Sequence, residues 1–91
     1  MNATNGDYLH LYKRYVDVIT VIKKDGQMLP LYLAWDDENG RKLYKIDKVH
    51  QIKKAVSEVG GCGIRYDVRI SGHERRLFYE KNRWFIESHQ P

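Results

Sequence analysis

A chain of 91 residues with Lys+Arg 16 against Asp+Glu 12, a net charge of +4 and 42% hydrophobic residues reads as one small, basic, folded domain rather than a disordered tail. A chain of this length buries only roughly 60 to 65% of its unfolded surface, which disfavours an enzyme with its own large substrate cleft. The single cysteine, Cys62, excludes an internal disulfide and a multi-cysteine zinc site, and points to a reducing compartment.

Residues 1–14 read as an N-terminal extension. Met1 to Asp7 is small and polar, without the basic start and apolar run of a secretory leader. Tyr8, Leu11, Tyr12 and Tyr15 then fit a short helix capped by Asp7, or equally an extended arm whose tyrosines pack on the domain. No stretch approaches the roughly 20 apolar residues of a membrane helix, so a cytoplasmic protein without membrane attachment is expected.

Residues 15–88 form the domain. Val16, Val18, Ile19, Thr20, Val21 and Ile22 make a β-branched strand closed by Asp25-Gly26. The second strand runs from Met28 to Trp35, with Leu29, Leu31, Leu33 and Trp35 on one face and Pro30 pushing its start towards an edge or a bulge. Asn39-Gly40 offers positive-φ positions for the next hairpin, and Leu43 to Ile46 is the third strand. Residues 47–59 are ambiguous: Val49, Ile52, Val56 and Val59 recur at helical spacing, while His50, Ile52, Lys54 and Val56 share one side of a strand.

After Gly60-Gly61-Cys62-Gly63, residues 64–87 alternate with a period of two through three strands, turned at Ser71-Gly72-His73 and Lys81-Asn82. Tyr66, Val68, Ile70, Leu77, Tyr79, Trp84 and Ile86 take the core phase. Five or six short strands joined by tight turns imply a mainly β fold, a small antiparallel, partly open barrel or curled meander of SH3-like or Sm-like form, with at most one or two short helices.

The outward phase carries the candidate site. Arg65, Arg69, Arg76 and Arg83 share it with Phe78 and Phe85, and guanidinium groups beside aromatic rings suit the phosphates and bases of single-stranded nucleic acid. The same residues also suit a solvated face on which arginine stems cover the rings and pair with Asp67, Glu80 and Glu87. Lys42, Lys45, Lys48, Lys53 and Lys54 make a second basic cluster that reads first as a solvated charge run.

No cofactor or metal is expected. His10, His50, His73 and His89 lack ligand spacing, Asp36-Asp37-Glu38 lacks the spaced oxygens of a calcium loop, and Gly60-Gly61-Cys62-Gly63 is not followed by the Lys-Ser/Thr of a P-loop. Cys62 has no recognisable His-Asp partners for nucleophilic catalysis, so a non-enzymatic binding module is expected.

Pro30-Leu31-Tyr32-Leu33-Ala34-Trp35-Asp36, Tyr44-Lys45-Ile46-Asp47-Lys48-Val49, Gly60-Gly61-Cys62-Gly63-Ile64-Arg65-Tyr66 and Arg83-Trp84-Phe85-Ile86-Glu87, with Gly72 and Leu77-Phe78-Tyr79-Glu80 between them, resemble the pattern of a family of short, uncharacterised bacterial proteins. The likeness spans most of the chain after Tyr15. It implies a bacterial origin and one compact domain whose members begin near the first strand, and it carries no catalytic role. Two partners follow from the residues themselves: single-stranded nucleic acid on the basic face, or another protein. The second includes a homodimer pairing an exposed strand edge, because Ile19 and Val21 on one side and Val18 and Ile22 on the other require cover on both faces.

Overall fold

A computed structural model describes residues 12–56 and 62–88, and every regular element among them is a strand. These are β1 Tyr12–Ile22, β2 Met28–Asp37, β3 Gly40–Val56, β4 Cys62–Ile70, β5 His73–Glu80 and β6 Arg83–Ser88. Each pairs antiparallel with its neighbour in sequence, and β1 pairs with β6 to close the barrel. The barrel is thus closed rather than partly open. Tyr12, Lys13 and Arg14 belong to its wall, opposite Ser88, Glu87 and Ile86, while the rest of the expected extension lies outside the described residues.

Closure works because two strands divide their length between their two neighbours. β1 pairs with β6 over residues 12–16 and with β2 over 17–22. β3 pairs with β2 over 40–45 and with β4 over 46–56. The ambiguous segment 47–56 is therefore strand, with 57–59 outside the described residues.

Its helical look has a specific origin. Register shifts place one extra residue, Asp47, between Ile46 and Lys48 and another, His50, between Val49 and Gln51. Each bulge adds one residue to a two-residue repeat, so Ile46, Val49 and Ile52 all reach the core at a spacing of three. Pro30 behaves similarly: β2 carries an extra residue, Leu31, where Ile19 pairs with Tyr32 and Thr20 with Pro30. Leu33 and Trp35 therefore face the core while Leu31 is expelled to 40% exposure, leaving the expected Leu29 to Trp35 face without Leu31.

The core is built mainly by the last three strands. Tyr66, Val68, Ile70, Leu77, Trp84 and Ile86 are buried with Leu33 and Ile46, and Tyr79 packs against them. Trp84 lies between two tyrosines, its ring centroid 5.2 Å from Tyr66 and 5.0 Å from Tyr79. The Tyr66 hydroxyl donates to the Met28 carbonyl at 2.7 Å and ties the β1–β2 hairpin to this cluster, while burial raises the phenol's pKa.

The turns follow their residue types. Ser71-Gly72 and Lys81-Asn82 all have positive φ, the signature of the type I′ turn that matches strand twist. Ser71 N–H also donates to the bulged Asp47 at 2.9 Å. In the β2–β3 turn only Gly40 is left-handed, at φ 111°, and Asn39 N–H instead donates to the Asp37 carboxylate at 2.8 Å.

Gly63 is required for a different reason. A Cβ there would overlap the Tyr79 carbonyl oxygen and lie 3.2 Å from Glu80 Cβ, so backbone rather than a flexible side chain would have to move. Gly63→Ala is expected to destabilise the barrel by about 1 to 3 kcal/mol, read as a lower urea midpoint; an unchanged midpoint would show that the β4–β5 contact tolerates a methyl group.

Candidate interaction surfaces

The outer face of β4, β5 and β6 carries the candidate nucleic-acid residues, and most of them are engaged. Arg65 and Asp67 stand two residues apart on β4 and form a fork: Nη2 donates to Oδ2 at 3.1 Å. Nε lies 2.9 Å from Oδ1, an ion-pair contact without hydrogen-bond alignment, since both atoms are buried and lack a hydrogen-bond partner among the described residues. Arg69 Nε donates to Glu74 at 2.8 Å across the β4–β5 pair. Arg83 lays its guanidinium 3.5 Å from the Tyr15 ring centroid. Arg76 is opposite Asp67, but that carboxylate is taken by Arg65, and Arg76 has no ion pair among the described residues.

Phe78 and Phe85 keep the outward phase expected of them but are not exposed. They are a cross-strand pair stacked at 4.9 Å with an interplanar angle of 3°, and are 2% and 0% exposed. Tyr15 meets Phe85 edge-on at 5.8 Å, and the Lys13 ammonium lies 4.9 Å from the same ring. The expectation of an accessible stacking platform is corrected here: these rings pack against each other beneath charged neighbours, as a small apolar layer outside the barrel.

The exposed apolar residues are elsewhere. Among the described residues every large exposed hydrophobic lies on β1, β2 or the start of β3, including Ile19 at 49%, Ile22 at 69% and Leu43 at 52%. Tyr32 stands between Ile19 and Lys45, and the buried Ala34 between Asp17 and Leu43, so a small side chain floors a shallow apolar patch. An ion-pair cluster rims it: Arg41 meets Asp17 at 2.6 Å and Asp36 at 2.8 Å. The expected apolar surplus of β1 was the sequence signal for this face; Leu43 and Tyr32 carried no separate one.

One barrel end opens on a cavity of about 600 Å³ lined by Leu33, Trp35, Tyr44, Ile70, His73 and Arg75, with the Arg14 guanidinium 3.7 Å from the Trp35 ring centroid. The expected lysine cluster runs along β3: Lys48, Lys53 and Lys54 lie on the segment that pairs only with β4 among the described residues. Among the described residues no three His, Cys, Asp or Glu side chains gather into a metal-sized site. No protein-family model matches the chain, and no curated protein or solved structure matches it.

Two carboxylates make the surface sensitive to acid. The hydrogen bond from Arg69 holds Glu74 below its usual range, with His50 and the Arg69 charge adding to the effect against desolvation; the hydrogen bond from Arg41 does the same for Asp36. A folded pKa below the unfolded one stabilises the fold above the unfolded value, and this is lost as pH falls through the folded one. Stability is therefore expected to fall below the ordinary values of 4.5 for Glu74 and 3.8 for Asp36. Thermal melts across this range should show a shallower fall for Asp36→Asn/Glu74→Gln than for the natural chain; parallel curves would mean that neither pair contributes.

Proposed function

We propose that this protein is a non-enzymatic protein-interaction module that docks a protein partner on the outer face and free edge of the β1–β2 hairpin. The observation that carries the reading is the segregation of exposed apolar side chains: β4 to β6 cover even their outward phenylalanines, whereas Ile19, Val21 and Leu43 stand open on the outer face of β1 to β3. An exposed apolar patch with a charged rim marks a docking surface on a small domain. The double variant Ile19→Lys/Leu43→Lys is the test, with circular dichroism confirming its fold. The natural chain is expected either to exceed its monomer mass in light scattering or to retain a protein in affinity capture that the double variant loses. Identical mass and identical capture for the two chains would refute the reading.

A second reading keeps single-stranded nucleic acid as partner. Its support is Arg76, exposed without an ion pair among the described residues, on the same sheet face as Arg83, with Lys48 and Lys53 beyond β4, opposite Arg69 and Arg65. Arg65 and Arg69 then supply field more than contact, and Phe78 and Phe85 support the surface from below. Binding of an oligonucleotide through these groups is weak, falls with rising salt and weakens further in Arg76→Ala/Arg83→Ala. Undetectable binding at low salt, or binding indifferent to salt, excludes it.

A further inference from the structure

Two strands leave one edge unpaired over part of their length, and they treat it in opposite ways. β3 pairs over 46–56 only with β4 among the described residues, and this segment carries the bulges at Asp47 and His50 together with Lys48, Lys53 and Lys54. Bulges and lysines are the usual means of blocking a sheet edge. β1 runs past the end of β6 after the Val16–Trp84 pair, so residues 17–22 pair only with β2 among the described residues. Here the extra residue of the irregularity is Leu31, on β2, and no charged side chain interrupts Val18 to Ile22. A groove of about 420 Å³, lined in part by Val16, Asp17, Val18 and Arg83, opens where β1 leaves β6.

The residues of this open edge read nearly the same in both directions: Asp17-Val18-Ile19-Thr20-Val21-Ile22-Lys23. We propose that the occupant is a second copy of this chain, its β1 lying antiparallel beside the first about a two-fold axis at Thr20, an inference that rests on the docking face proposed above. In that register Thr20 meets Thr20 of the second copy, Ile19 meets Val21, Val18 meets Ile22 and Asp17 meets Lys23. β-branched residues face each other, and opposite charges close both ends. Thr–Thr and β-branched pairs are favourable cross-strand neighbours, and an isologous contact of this kind closes after two subunits.

The exposure pattern fits. Ile22 is the most exposed of the large hydrophobics, at 69%, and this register gives it a Val18 to pack on. Asp17 already meets Arg41, which is shared with Asp36, and Lys23 lies 3.9 Å from Asp25 of its own chain; in this register Lys23 exchanges that long, exposed contact for Asp17 of the second copy.

The test uses the full chain carrying Cys62→Ser. Residues opposed across antiparallel strands have Cα atoms about 4.5 to 5.5 Å apart, within disulfide reach. Thr20→Cys is therefore expected to give a disulfide-linked dimer on mild oxidation, whereas Ile22→Cys alone, which faces Val18, gives at least several-fold less. Adding Val18→Cys to Ile22→Cys restores the link. Light scattering of the unmodified chain should give twice the monomer mass, and Ile19→Lys should return it to the monomer. Equal cross-linking by Thr20→Cys and Ile22→Cys, or none by either, overturns the register. A monomeric mass with a foreign protein captured and then lost in Ile19→Lys/Leu43→Lys overturns the second copy but leaves the docking face standing; the absence of both removes both.

Discussion

A strand presents alternate residues to alternate sides, and a closed six-stranded meander cannot keep that rule along a strand that must bend between two neighbours. β3 resolves the conflict. It pairs with β2 until Lys45 and with β4 from Ile46, and the bulges at Asp47 and His50 sit just after that exchange. Each adds local twist and restores the core phase one residue later, which is how Ile46, Val49 and Ile52 all reach the same interior. Asp47 also accepts the Ser71 N–H at 2.9 Å, so the bend in β3 and the β4–β5 turn hold each other.

That geometry divides the outside of the barrel into two chemically different surfaces. On β4 to β6 the outward residues form a layer of their own, with the Phe78–Phe85 stack beneath, Arg65–Asp67 and Lys13–Glu80 contacts beside it, and Arg69–Glu74 nearer the β4–β5 turn. Of these the exposed Arg69–Glu74 pair contributes little; Arg65–Asp67 and Lys13–Glu80 are partly buried, and Lys13 lies against the Phe85 ring. On β1, β2 and the start of β3 no such layer exists among the described residues, and Ile19, Val21 and Leu43 remain open.

Much of this was legible in the chain. The period-two alternation from Ile64 onward identified Tyr66, Val68, Ile70, Leu77, Tyr79, Trp84 and Ile86, and all pack in or against the core. Pro30 announced an edge or a bulge because it lacks the donor a ladder requires, and the bulge is what formed. Residues 47–56 were not legible: two one-residue insertions turn a spacing of two into three, and three is also a helical spacing. Phase left Phe78 and Phe85 readable either as a stacking platform or as covered rings, because it fixes the side of a sheet but not what lies over it. Whether Arg65 faces a ligand or Asp67 is likewise a question of rotamer and neighbour, which alternation does not encode.

The seam between β1 and β6 joins residues far apart in the chain, Tyr12 with Ser88 and Val16 with Trp84, while β4, β5 and β6 are joined by two-residue turns. Loop-closure entropy rises with the length closed, so the seam is the costliest contact of the barrel to form. Its neighbourhood is where cation and ring meet: Lys13 on Phe85, Arg83 on Tyr15 and Arg14 on Trp35. Of the residues that give this small chain its nucleic-acid-like look, Arg83 and Phe85 are, in mechanical terms, part of a latch that holds the first strand against the last.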